Sequence, residues 1–317
     1  MSRVHDALRK AAIPGAPMPS SVAVERRPTS GGQAVVERGG GSAASATLEV
    51  PQVVLDAHFL DHIQEVPYTP SPDGLLIDLS RPHEAPMEEF RSLRTRLNHM
   101  QTLQPIHSVV VTSASPAEGK SFAAMNLALS QAQLAANRVL IADFDFRRPI
   151  VHNLLGMDRS PGITDFLLGK VPLEAAIKRI AGTNLYVLPA GEAVMNPLEL
   201  LNLREVKLML NELPAYFNWV VLDTPPLLFA ADANLLSTMC HGTILVVRIG
   251  ATTIDTITRA MQSLCENNVL GIVVNGARRG ELYSKYTYYH SYYMPREQRD
   301  DEPIAELEAQ PMGEDKR

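Results

Sequence analysis

A chain of 317 residues, 45% hydrophobic and 20% charged, has enough apolar material for a buried core and is longer than one average domain. Its formal net charge of -6 and pI near 5.9 provide no global attraction to nucleic acid or anionic lipid. The two cysteines, Cys240 and Cys265, belong to no CxxC pair and lie near no histidine at metal-ligand spacing, so they read as buried reduced thiols.

Residues 1–75 open with a short amphipathic piece, Val4, Ala7, Leu8 and Ala11 at helical spacing. The stretches GGQAVVERGGGSAASA and PYTPSPDG then predict a mostly disordered linker, because they cannot offset their ordering entropy by burial. GGGS at 39–42 is not a nucleotide loop, since no strand precedes it and no periodic helix follows.

Residues 76–280 predict one α/β domain, with a mainly parallel central sheet flanked by helices. The segment PMEEFRSLRTRLNHMQ predicts its first helix, where Glu88, Arg91 and Arg94 lie three apart and share a face, as an ion-pair ladder would. Apolar, β-branched strands then alternate with helical segments: HSVVVTS, RVLIADF, NLYVLP, WVVLDT, GTILVVR and VLGIVVN.

The first of these strands runs into SASPAEGKS and then a periodic helix, the strand–loop–helix context of a phosphate loop. Backbone N–H groups of Ser115, Pro116-Ala117-Glu118, Gly119 and Phe122 are placed to surround phosphates, excepting proline's missing donor, while Lys120 would bridge the β- and γ-phosphates and Ser121 would ligate Mg²⁺. The general GxxxxGK[ST] pattern has glycine where this chain has Ala114, and Ala117 is a second small substitute whose methyl group disfavours positive φ. In VLIADFDFRRP, Asp143 and Asp145 end a strand two residues apart and can face one site, with Arg147 following. Asp223 ends the strand of WVVLDTPP. Ligands of open parallel sheets sit beyond the carboxyl ends of the strands, so Lys120 and the three aspartates are expected to converge there. One carboxylate would hold Mg²⁺ through water and another, Asp143, would orient or deprotonate an attacking hydroxyl. Either Asp143 or Asp145 is alternatively a helix cap.

Residues 281–317 hold six of the nine tyrosines within eleven positions, Tyr283, Tyr286, Tyr288, Tyr289, Tyr292 and Tyr293, and then an acidic, polar tail. Core packing does not ask for such a cluster. An aromatic nucleic-acid platform fits poorly, because Lys285 is the only lysine within it and the flank is acidic. A partner-binding aromatic patch stays open.

Taken together, these motifs resemble the bacterial protein-tyrosine kinases of capsular and exopolysaccharide synthesis, in their cytoplasmic form without a membrane anchor, over about residues 86–293. TSASPAEGKS is similar to that family's TSxxPGEGKS loop, with Ala117 its one departure; DFDFRRP is similar to its second aspartate loop, VVLDTPP to its Walker B strand and GEAVMNPLELL to its GxxxxNPxELL segment. His241 stands where the family often has an aspartate, a change expected to act on packing. The resemblance implies ATP and Mg²⁺ as cofactors, Asn275 as an adenine contact, and Glu88, Arg91 and Arg94 as ring contacts between subunits. It implies autophosphorylation of the tyrosine cluster and a membrane co-polymerase, or chain-length adaptor, as activating partner. Marks of the eukaryotic protein-kinase fold, HRDxxxxN and DFG among them, are missing.

No apolar run approaches the roughly 18–20 residues that span a bilayer, which predicts a cytoplasmic protein recruited to the membrane's inner face by that partner. Two other readings stay open: a partitioning-type regulatory ATPase, although Ser115 stands where those proteins carry an additional lysine, and a catalytically silent nucleotide-binding scaffold of the export complex.

Overall fold

The computed structural model describes residues 58–72, 76–77, 86–264 and 269–277. Its strands are β1 (Gln64–Val66), β2 (Ser108–Ser113), β3 (Val139–Asp143), β4 (Lys178–Ile180), β5 (Leu185–Leu188), β6 (Trp219–Asp223), β7 (Gly242–Arg248) and β8 (Val269–Asn275). They form one eight-stranded sheet in the order β1-β4-β5-β3-β6-β2-β7-β8, antiparallel only between β4 and β5.

Every residue of β2, β3, β5 and β6 is buried because both faces of the sheet are covered. Successive residues of these apolar runs serve opposite layers. Val109, Val111, Ile141 and Val221 face one cluster, with the helices α1 (Met87–Leu103) and α2 (Lys120–Ala132). Val110, Leu140, Ala142 and Leu222 face the other, which includes residues of α3 (Arg204–Glu212) and α4 (Asp232–Met239). A smaller cluster forms where α5 (Ile254–Ser263) packs beside Leu245 and Val247. On α1, Met87, Phe90 and Leu97 are the buried stripe, and Phe90 meets Phe122 of α2 edge-on at 5.8 Å. Phe90 is 6% exposed, so truncating it to alanine should cost about 3–5 kcal/mol.

Two strands go beyond the six expected from sequence. β1 and β4 have three residues each, QEV and KRI, too short and too polar for a strand pattern to register. Backbone pairing makes them strands, with Gln64 opposite Lys178 and Val66 opposite Ile180. The folded region therefore begins before residue 76, the boundary expected from composition: Phe59 is 3% exposed within the core, and Ser71 N–H donates to the Leu154 carbonyl at 2.9 Å. One anchoring aromatic is invisible in a composition average. The opening amphipathic piece, Cys265 and the tyrosine cluster lie outside the described residues. Among the described residues no helix is long and apolar enough to cross a membrane.

Candidate active site

The carboxyl ends of β2, β3 and β6 meet beneath one loop. Between β2 and α2 the chain turns through Ala114–Gly119, and Gly119, at φ +94°, is the residue from which α2 starts. A Cβ there would sit 1.9 Å from Asn275 Nδ2, so a larger residue would have to displace that side chain as well as hold a left-handed φ. Ala117 also takes positive φ, +62°, the left-handed region that a β-carbon disfavours. The alanine is held in that conformation. Ala114 is wholly buried beside Leu227 and Leu245, where the small side chain fits a packed wall.

β3 and β6 pair in register with Asp143 opposite Asp223, so their carboxyls are neighbours at the strand ends. Lys120 reaches into the same place from the first turn of α2, with Nζ 2.7 Å from Asp145 Oδ2, 3.2 Å from Ser121 Oγ and 3.6 Å from Asp223 Oδ1. All three aspartates are at most 3% exposed. Their surroundings differ. Asp143 accepts backbone N–H bonds from Asp145 at 3.2 Å on Oδ1, and from Ile150 and Val151 at 3.0 Å each on Oδ2. Two of these bonds satisfy backbone donors at the start of the short helical turn Val151–Leu154, whose N-cap residue is Ile150. Asp223 has neither oxygen in a hydrogen bond.

Burial, then the charge of Asp223, pushes the Asp143 carboxyl up to about 8, against the Val151 amide, which favours the ionised form. Burial raises Asp223 as well, with Lys120 and the Ser121 hydroxyl pulling it back. For Lys120 burial works toward loss of the proton, yet Asp223 and Asp145 outweigh it and hold the ammonium charged. The site is a buried cation among more acid groups than it can neutralise.

That surplus fits Mg²⁺. A fully buried carboxylate whose oxygens make no hydrogen bond and meet a single ammonium at 3.6 Å, beside a serine hydroxyl at the start of a helix, is a donor set that can take a further cation. Among the described residues no cluster of three or more His, Cys, Asp or Glu is placed to hold a metal alone. This suits an ion bound by one or two carboxylates together with substrate phosphates.

Other expected site residues are placed differently. Arg147 turns from the loop to a two-point ion pair with Asp232, at 3.0 and 3.3 Å. Asp232 is 1% exposed in the first turn of α4 and carries no motif that would have announced it. The Phe122 ring lies in the α1–α2 contact, leaving its backbone for the loop. Pro116 and Ala117 are exposed at the loop tip, whereas the Glu118 side chain turns inward, its Oε2 accepting from Ser115 N–H at 2.8 Å. Asn275 is engaged by the loop, donating from Nδ2 to the Glu118 carbonyl at 3.0 Å.

Arg248 and Thr252, absent from the expected set, also touch the loop: Arg248 donates to the Ala117 carbonyl at 3.1 Å and the Thr252 hydroxyl to Glu118. Their one sequence signal is position, at and just after the end of β7, the strand next to β2. On α1, Arg91 and Glu88 form an ion pair at 3.6 Å, while Arg94 is spent within the subunit, donating to the Ser130 carbonyl at 2.7 Å near the end of α2. His241 serves packing: its Nδ1 accepts from Ser108 N–H at 3.1 Å.

The comparisons with known proteins agree with this geometry. The chain is 35% identical over 216 residues to the tyrosine-protein kinase YwqD of Bacillus subtilis, covering 68% of this chain and 90% of YwqD. It is 32% identical over 222 residues to the tyrosine-protein kinase wzc of Salmonella typhimurium, but spans only 31% of that longer protein. Among solved structures, the kinase domain of the Escherichia coli tyrosine kinase ETK superposes with a TM-score of 0.60 at 29% identity, over 64% of this chain and 82% of that one. The chimerical protein CapA2B2 gives the same TM-score, 0.60, at 28% identity, over 67% and 92%. No family model matches the chain. With a phosphate loop, converging aspartates and this degree of likeness, the chain belongs to the bacterial tyrosine-protein kinases, built on the P-loop nucleotide-binding fold.

Proposed function

We propose that this chain transfers the γ-phosphoryl group of ATP to tyrosines of its own Tyr283–Tyr293 cluster, chiefly between copies in a ring, and that the cycle governs exopolysaccharide or capsule polymerisation and export. The observation that carries it is the fully buried Asp223 carboxylate, its oxygens in no hydrogen bond and its Oδ1 3.6 Å from Lys120 Nζ, in a tyrosine kinase whose own sequence bears six clustered tyrosines. In this reading the phosphate loop, residues 115–122, and Lys120 hold the β- and γ-phosphates. The tyrosine oxygen bonds to the γ-phosphorus as the bond to the bridging oxygen breaks, ADP leaves, and the tyrosine proton passes to Asp143. Burial and the Asp223 charge raise the Asp143 carboxyl to about 8, so it takes that proton only in its ionised form, which a neighbouring cation would favour. Asp145 keeps Lys120 aimed into the site. Mg²⁺, for which Ser121 and Asp223 are the natural ligands with Asp143 adjacent, would neutralise phosphate charge.

Each phosphorylated tyrosine adds about -1.5 to -2 charges, enough to separate packed copies of an acidic chain. The ring is supported by Arg91, whose one ion pair among the described residues is with the exposed Glu88, 3.6 Å away, a contact that can be exchanged for one to a neighbouring copy. The membrane co-polymerase partner, and recruitment of a cytoplasmic protein to the inner membrane face, follow from the family resemblance. Incubating the full chain with Mg-ATP and mapping phosphosites by mass spectrometry tests the reading. Phosphate is expected within Tyr283–Tyr293 and absent in Lys120→Ala. Its persistence in that variant would overturn the assignment.

A further inference from the structure

We propose that Arg248 and Thr252 are positioning residues that hold the phosphate loop in its ATP-receiving shape, taking over work that a glycine at position 117 would do by conformational freedom. This rests on the reading that the loop binds the phosphates of ATP.

The loop is gripped from one side by the carboxyl ends of β7 and β8. Arg248 and Asn275 are register partners at those ends. Arg248 donates from its guanidinium to the Ala117 carbonyl at 3.1 Å, fixing the peptide that follows the left-handed residue. Its own N–H donates to Thr252 Oγ1 at 2.9 Å. That hydroxyl donates onward to Glu118 Oε1, while Glu118 Oε2 accepts from Ser115 N–H at 2.8 Å. Glu118 is 3% exposed, a buried carboxylate whose partners come from inside the loop and from the entry to α5. Asn275 completes the grip by donating to the Glu118 carbonyl at 3.0 Å.

The strained residue thus lies between tethered neighbours. Its carbonyl is bound, and Ser115 and Glu118 on either side of it are tied together and to Thr252. An alanine released from these contacts relaxes toward negative φ, the ordinary choice for a residue with a β-carbon, and carries the loop amides out of register with the phosphates. A glycine released in the same way has no β-carbon clash driving it out of positive φ. The clamp therefore matters more with alanine at 117 than with glycine.

Mg-ATP affinity of the full-length protein, read by displacement of a fluorescent ATP analogue, tests this in a double-mutant cycle. Thr252→Val and Arg248→Ala should each raise Kd by ~10-fold in the natural chain and by less than ~3-fold in the Ala117→Gly background. Arg248→Lys should recover part of the loss, since it retains a donor. A general loss of stability would act alike in both backgrounds. Unchanged Kd in the natural chain, or equal fold-losses in the two backgrounds, would overturn the proposal. Absence of Mg-ATP binding by the unaltered chain would instead overturn the nucleotide reading on which it stands.

Discussion

Ala117→Gly is expected to stabilise the protein, although glycine ordinarily destabilises a fold. Ala117 has φ +62°, where an L-residue's Cβ crowds the following carbonyl at a cost of roughly 1–2 kcal/mol. Glycine removes that cost but adds freedom to the unfolded chain, worth about 0.4–1 kcal/mol the other way. The side chain is exposed at the loop tip, so almost no packing is lost with the methyl group. The balance favours glycine by about 0.5–1 kcal/mol, and for a domain of this size each kcal/mol moves Tm by about 2–4 °C. Thermal unfolding without nucleotide should therefore show Tm higher by ~1–4 °C, from those two figures combined. A fall in Tm of 2 °C or more, on the order of 0.5–1 kcal/mol lost, would show that residue 117 does not occupy the left-handed region and would remove the premise of the clamp.

Gly119→Ala should lower Mg-ATP affinity by more than ~10-fold, because its Cβ would meet Asn275 Nδ2 at 1.9 Å and the residue must also hold φ +94°; affinity within twofold of the parent would refute the tight approach. Arg91→Glu should abolish assembly while leaving Tm nearly unchanged. Arg94→Glu should cost about 1–3 kcal/mol by releasing the Ser130 carbonyl, so sedimentation and melting together separate interface from fold. His241 is held below its ordinary pKa by burial and then by His107, and its Nδ1 accepts a backbone N–H, so the neutral form is the native one. Its stabilisation is present above the unfolded pKa of about 6.5 and declines as pH falls below it, by at most ~1.4 kcal/mol per pH unit. The stability deficit of His241→Asn, measured by urea unfolding, should accordingly shrink between pH 7.5 and pH 5; a constant deficit would contradict this.

Much of the candidate site is legible in sequence because its parts are local. A buried parallel strand is an unbroken β-branched run; Asp143, Asp145 and Asp223 stand at or just beyond the end of such a run, and Lys120 follows one across the Ala114–Gly119 loop. Topology then brings them together. The elements that escaped are those whose cause is distant or weak in the chain. β1 and β4 are three residues each and exist by pairing with each other across more than a hundred positions. Arg147 follows its motif, yet its partner Asp232 is 85 residues away, and that partner decides where the guanidinium points. Arg248 and Thr252 meet the phosphate loop across 131 and 134 positions. Neither residue type at those places signals a role until the fold supplies the neighbour. The dual duty of Asp143, facing Asp223 while accepting three backbone amides, is likewise a property of the folded loop rather than of a spacing.

The central claim, that this site phosphorylates the chain's own tyrosine cluster, is tested most directly by following phosphate transfer from Mg-ATP into the full chain and into a variant with all six tyrosines of Tyr283–Tyr293 changed to phenylalanine. Incorporation is expected in the parent and lost in the variant, with Mg-ATP affinity unchanged. Equal incorporation in both, or transfer confined to residues outside the cluster, would contradict it.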